Sequence, residues 1–137
     1  MDLERREKEI KKKFESLKDW EKRYRYLIDL GEKLTKKSSD FRSEDKLIHG
    51  CQSKVWLEVI FNNNKLFFDA DSDALLPKGM AALMIYLYSD LFPYEIVSSN
   101  NNLIYELKLT TFLSPIRANG LILLLKKIKH YANYFNK

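Results

Sequence analysis

A chain of 137 residues, 45% hydrophobic and 31% charged, reads as one soluble globular domain long enough to bury a core unaided. Its single cysteine excludes an internal disulfide and a multi-cysteine metal site, and two histidines do not complete a zinc ligand set. The net charge of +5 is uneven: residues 1–50 carry 15 basic and 12 acidic groups, 51–114 carry 4 and 7, and 115–137 carry five basic groups and no acid.

The longest apolar run, Gly79 to Tyr88, falls well short of the ~20 residues of a membrane helix. The charged N-terminus lacks an apolar signal core. These features predict a cytoplasmic protein with no membrane association, in a reducing compartment where a free thiol persists. The basic end beside an acidic middle suits a solvated helix face or a surface that steers a partner.

Ten of the first thirteen residues are charged, and Glu4–Lys8, Glu7–Lys11 and Glu9–Lys13 stand in the favourable i, i+4 order. The pattern predicts a charged helical extension over 1–13, with Ile10, Phe14 and Leu17 as a thin stripe docking on the body. A polybasic nucleic-acid arm is the sharper alternative, weakened by the interspersed glutamates. Asp19 can cap a second helix from Trp20 to about Leu34. Its core face carries Trp20, Tyr24, Leu27, Ile28, Gly31 and Leu34. Lys36 to Asp40 reads as a loop, and Phe41 to Leu47 is polar and weakly patterned.

The stretch His49-Gly50-Cys51-Gln52-Ser53-Lys54-Val55-Trp56 follows, holding the only cysteine. Gly50 frees the backbone for a turn just before a strand, which places Cys51 on a loop. A lone cysteine is either a small buried hydrophobe or a nucleophile whose reactive form is the thiolate. From Gln52 to Phe61 the side chains alternate, with Val55, Leu57, Val59 and Phe61 opposite Trp56, Glu58 and Ile60. Asn62-Asn63-Asn64 marks a turn, and Lys65 to Ala70 returns as the second strand of a hairpin. Consecutive strands with helices at both ends predict an α+β fold with an antiparallel sheet.

Asp71-Ser72-Asp73-Ala74 offers two carboxylates for a cation or for acid–base work, or, as the preferred reading, caps for the next helix. Pro77 suits the first turn of that helix, and Met80, Leu83, Met84 and Leu87 make it the central buried one. A short helical turn is expected over Tyr94–Ser98, a loop at Asn100–Asn102, and one short helix carrying Leu103, Leu107 and Leu109. Ser114 and Pro115 start the last helix, whose apolar face is Leu121, Leu124, Leu125, Ile128, Ala132 and Phe135. Gly120 inside it costs ~1 kcal/mol relative to alanine, which predicts close packing against another backbone. Arg117 sits where the helix dipole disfavours a cation, pointing to a job other than local stability. No repeat, phosphate-binding glycine loop or metalloprotease helix is present.

Three segments together resemble the SufE family: Gly50-Cys51-Gln52-Ser53-x-Val55-Trp56, then Asp71-Ser72-Asp73-Ala74 with Gly79, then Leu113-Ser114-Pro115-x-Arg117-x-Asn119-Gly120-Leu121. Trp20-x-x-Arg23-Tyr24-x-x-Leu27-Ile28-x-Leu30-Gly31 is similar to the family's N-terminal helix. The resemblance covers roughly residues 14–132, and Ile116 departs from the serine expected there. It implies a single SufE/NifU-like α+β domain over 1–137, with the 1–13 extension outside the match. It further implies a sulfur acceptor in iron–sulfur cluster assembly, in which Cys51 takes a persulfide sulfur from a SufS-like cysteine desulfurase and passes it to a SufBCD-type scaffold. Arg117 is expected to steady the thiolate or the loop, and Asp73 to place neighbouring backbone, with Gly50, Gln52 and Ser53 shaping the site. The chain itself needs no cofactor or metal on this reading, while the partner desulfurase is expected to carry PLP. A monomer or homodimer that binds no nucleic acid is expected. The rivals are a nucleic-acid module using the basic last helix, and a free-standing thiol enzyme with a Cys51–His49 pair.

Overall fold

Seven α-helices and one β-hairpin organise residues 2–137, those described by the computed structural model; Met1 lies outside them. Helix α1 (Asp2–Ser16) is the charged extension, and its stripe does dock, with Leu3, Ile10 and Phe14 buried and Leu17 half-buried. Arg6 fixes its position. The guanidinium donates to the carbonyls of Leu87 at 3.1 Å and Ser89 at 2.5 Å, which the end of the central helix would otherwise leave unpaired.

Asp19 caps α2 (Trp20–Glu32), accepting from the Lys22 amide at 2.9 Å. This helix crosses the central helix α3 (Leu75–Tyr88) where glycine meets glycine. A Cβ on Gly31 would lie 2.8 Å from the Gly79 nitrogen, and one on Gly79 would overlap the Leu27 carbonyl. Only two hydrogens in place of methyls let the backbones approach this closely. Around that crossing Leu27, Leu83, Met84 and Leu87 have no exposed surface. Complete burial of such side chains stabilises by about 1.5–3 kcal/mol each. As the periodicity predicts, α3 is the centre of the core.

Strands β1 (Val55–Asn62) and β2 (Lys65–Ser72) pair antiparallel, with Val55 opposite Ser72 and Asn62 opposite Lys65. Asn63 and Asn64, at φ 51° and 65°, make the two-residue turn. Positive φ at both central positions matches the right-handed twist of the flanking strands. Both edges of the ribbon are covered. Ile48 N–H donates to the Val55 carbonyl at 2.8 Å, and Leu66 N–H donates to the Leu91 carbonyl at 2.8 Å. The alternating pattern predicts one buried face, yet Val55, Trp56 and Leu57 are all buried. The polar stretch before the strand explains this, because Leu47 bridges to Trp56 and the Arg42 guanidinium lies 4.7 Å from the Trp56 ring.

Two expectations need correction. Neither carboxylate of Asp71-Ser72-Asp73 caps α3, whose cap position is Ala74 with no side-chain hydrogen bond. Strand β2 runs on through Ser72, so Asp71 is buried in the sheet and receives Arg42 Nε at 2.9 Å, with Lys78 Nζ at 3.8 Å. The single short helix expected around Leu103–Leu109 is two, α5 (Leu103–Glu106) and α6 (Leu109–Phe112). Lys108 separates them in the left-handed region at φ 60°. Between them and α3 lie α4 (Pro93–Val97) and the asparagine loop. Ser114 and Pro115 open α7 (Pro115–Phe135), which buries Leu121, Leu124, Leu125, Ile128 and Ala132 of the predicted face together with Ala118, while Phe135 is half-buried.

Candidate functional site

Residues 49–54 form a loop whose two ends are pinned. The Ile48–Val55 hydrogen bond closes its base. Asp73 then holds Lys54, its carboxylate accepting from the Lys54 amide at 3.0 Å while the Asp73 N–H donates to the Lys54 carbonyl at 3.2 Å. The Ser72 hydroxyl donates to the same carbonyl at 2.8 Å and accepts from the Ala74 amide at 3.3 Å. Gly50 turns the chain inward at φ 94°, a conformation that side-chain-bearing residues rarely adopt. Cys51 follows at the loop's tip.

The Cys51 side chain is half-buried and leans on the first turns of α7. A Cβ on Gly120 would stand 3.5 Å from Sγ, with no backbone of another element among its neighbours. The expected reason for Gly120 is therefore corrected: what lies over the bare position is the Cys51 sulfur, not a second backbone. Sγ faces a cavity of about 30 Å³. Its inner wall is apolar, built by Val55, Pro77, Met80, Leu121 and Leu124. Gln52, Ile116 and Arg117 line it as well and are exposed, so they form its solvent side, with Ser53 between. Strand start, central helix and last helix thus converge on one thiol.

Electrostatically the site leaves the thiol neutral at rest. Burial pushes the Cys51 pKa up, and no neighbouring charge or hydrogen bond offsets it. Arg117 lines the same cavity, yet its side chain makes no hydrogen bond or ion pair among the described residues. His49 is exposed and turns away, its Nε2 lying 3.5 Å from Glu44 Oε1. Cys51 therefore has no general base beside it. No group of three or more His, Cys, Asp or Glu able to hold a metal occurs among the described residues. None of the described helices is long and apolar enough to cross a membrane.

Sequence reasoning placed Gly50, Cys51, Gln52, Ser53 and Arg117 near one another, and the cavity brings all but Gly50 into one lining. Asp73 is not in the wall but holds the loop from below. The role of Arg42 in carrying Asp71 was missed, since nothing in a weakly patterned polar stretch marks one arginine. The cavity wall of Pro77, Met80, Leu121 and Leu124 was legible only as core. Helical spacing shows which side chains face inward, not where the packing stops short.

The fold is shared with a hypothetical protein from Thermus thermophilus of known solution structure, at a TM-score of 0.77 and 19% identity over 96% of each chain. In sequence the chain is 38% identical over 123 residues to the cysteine desulfuration protein SufE of Wigglesworthia glossinidia brevipalpis, covering 88% of this chain and 85% of that one. Residues 8–132 match the SufE profile, described as an Fe-S metabolism associated domain. That match begins inside α1, six residues before Phe14, and takes in the whole thiol site. The chain belongs to the SufE family.

Proposed function

We propose that this protein is a sulfur carrier that accepts a persulfide sulfur on Cys51 from a partner cysteine desulfurase, raises that enzyme's turnover, and hands the sulfur to an iron–sulfur cluster scaffold of the SufBCD type. The observation that carries the reading is the lone thiol at a loop tip, lodged against an apolar cavity of about 30 Å³. A space of ~10–15 Å³ holds one water-sized group, so this one accommodates an added sulfur atom. The absence of a base beside Cys51 argues in the same direction, because a thiol hydrolase needs one to activate its nucleophile.

The transfer is a thiol exchange without net oxidation or reduction. The Cys51 thiolate attacks the terminal sulfur of the donor persulfide, a new S–S bond forms on Cys51, the donor S–S bond breaks, and the donor cysteine leaves as thiolate. The Cys51 proton passes to solvent before attack. Since burial holds the resting thiol neutral, docking has to carry the loop outward, where the thiolate is solvated and Arg117 stands ready to neutralise it. Asp73 keeps the downstream end of the loop fixed while its tip moves. The donor supplies PLP chemistry; the carrier supplies a nucleophile and a dry resting place.

Intact mass spectrometry after mixing the protein with a cysteine desulfurase and free cysteine tests this. A gain of sulfur that disappears on reduction and is absent in Cys51→Ser, together with faster desulfurase turnover, is the expected result. Unchanged mass and unchanged turnover with several desulfurases would overturn the proposal.

A further inference from the structure

Helix α7 presents two adjacent rows of side chains to the thiol cavity, Ile116–Gly120–Leu124 and Arg117–Leu121, each at a spacing of four. Positions one helical turn apart stand about 5–6 Å from each other. The first row runs from solvent to core past the sulfur. Ile116 is 52% exposed, Gly120 leaves the bare position over which Cys51 Sγ lies, and Leu124 is buried at 3%. Ile116 is therefore the next side chain outward from the sulfur along that row.

A single apolar side chain at a surface is ordinary. Ile116 differs in what surrounds it. Three exposed residues line the cavity: Gln52, Ile116 and Arg117. Gln52 and Arg117 are long, polar and rich in rotamers, and neither side chain makes a hydrogen bond or ion pair among the described residues. Both are free to move aside with their water. Ile116 is branched at Cβ, which leaves it essentially one χ1 rotamer in a helix. It is the one stiff, apolar member of the exposed lining.

We infer that Ile116 makes Cys51 selective for protein partners over small dissolved thiols, by holding an apolar edge beside the sulfur that hydrated reagents must cross. This selectivity rests on the carrier reading and extends it, because it names the side chain that keeps sulfur from being lost between donor and acceptor. The unwanted reaction is the loading exchange run with the wrong thiol. The thiolate of a small thiol such as glutathione attacks the terminal sulfur of the Cys51 persulfide, takes it away as a new persulfide, and leaves Cys51 as thiolate, with no net oxidation or reduction. To reach it, a hydrated anion gives up water against the Ile116 methyls, where no polar group replaces it. A protein that surrounds its reactive cysteine with apolar side chains gains by burying the same methyls. Arg117 attracts either thiolate, so the discrimination falls to Ile116.

The test uses the full chain as parent, Ile116→Ser, Ile116→Val and Ile116→Phe. Intact mass reads two rates: alkylation of the sulfur-free thiol by iodoacetamide, and loss of sulfur to glutathione after loading by a desulfurase and removal of the donor. Ile116→Ser raises both about fivefold. Ile116→Val, still branched and apolar, stays within about twofold of the parent. Ile116→Phe enlarges the cover and slows both, which keeps the test open if the serine variant unfolds. Parental rates in Ile116→Ser, a valine variant as fast as the serine one, or a phenylalanine variant no slower than the parent overturns the inference. If no persulfide forms on the parent, the carrier reading falls and the selectivity with it. If persulfide forms and the serine variant matches the parent in both rates, the selectivity alone falls.

Discussion

Replacing Gly120 by alanine separates stability from sulfur uptake, and both effects follow from one distance. Inside α7 the substitution removes the glycine penalty, about 1 kcal/mol. The new Cβ lies 3.5 Å from Cys51 Sγ and 3.9 Å from Cys51 Cβ, which is ordinary contact without strain. Gly120→Ala is therefore expected to be more stable by about 1 kcal/mol, raising the melting temperature by roughly 3–5 °C for a domain of this size. The same methyl sits beside the sulfur on a cavity of about 30 Å³. A cavity of that size holds about two water-sized groups, so the methyl takes up much of the room a terminal sulfur would use. Overfilling a tight site costs about 1–3 kcal/mol, a reduction in persulfide loading of about five- to 150-fold. Scanning calorimetry and intact mass after incubation with a desulfurase and cysteine read the two effects on one sample. Loading at the parental rate and extent would refute the idea that the cavity houses the sulfur. A lower melting temperature would show that Gly120 serves the helix in some way the Cys51 contact does not reveal.

The remaining predictions concern the loop and its support. Burial raises the Cys51 pKa, so alkylation of the native protein is expected to rise with pH through a midpoint above the ~8.5 of an unperturbed thiol; a midpoint at or below that value contradicts the burial argument. The folded thiol titrates later than the unfolded one, so this contribution to stability is intact below about pH 8.5 and is lost as pH climbs through the folded value. Cys51→Ser removes that slope from denaturation curves. Asp73→Ala deletes the acceptor for the Lys54 amide, a loss of about 1 kcal/mol, and should speed alkylation of Cys51 about fivefold, whereas Asp73→Asn keeps an acceptor and restores most of the protection; equal rates in all three proteins would exclude the tether. Burial alone would push the Asp71 carboxyl up, but the Arg42 hydrogen bond, the Ser72 amide and the charges of Arg42 and Lys78 outweigh it and hold it below the usual range. Arg42→Ala is expected to cost about 1–3 kcal/mol in urea unfolding at pH 7. That difference persists above about pH 4 and shrinks as pH falls through the folded value, and a pH-independent difference would point to lost packing on Trp56 instead.

The helices were readable because their signals are local. Asp19 caps where its type and position say it should, and the predicted apolar positions of α3 and α7 are buried, Phe135 alone being half-buried. The hairpin was readable for the same reason, since three asparagines mark a turn that only positive φ can close. Where the reading of Asp71 and Gly120 failed, the decisive partner was distant in sequence. Asp71 resembles a helix cap because it precedes a helix, and it becomes a buried sheet residue only through Arg42, 29 positions away. Gly120 resembles a backbone contact because that is how helical glycines commonly pack, and its neighbour is instead a sulfur from the other side of the domain. Propensity and periodicity carry no information about such pairs.

The distribution of restraint around Cys51 bears directly on how a half-buried thiol could serve the proposed carrier role. Downstream, three hydrogen bonds from Ser72 and Asp73 fix Lys54 to the end of β2. Upstream, the Ile48–Val55 bond fixes the base of the loop. Between them no hydrogen bond reaches Sγ, which is half-buried beside Gly120, while Gln52 is exposed. Swinging the tip outward then forfeits the burial of one small side chain, on the order of 1 kcal/mol, whereas moving either anchor breaks several bonds at about 1 kcal/mol each. A partner that offers Cys51 a better environment than the cavity needs little differential binding energy to draw it out. On the proposed carrier reading, the same imbalance would return a loaded thiol to shelter on dissociation, which a thiol fixed in the core would not allow.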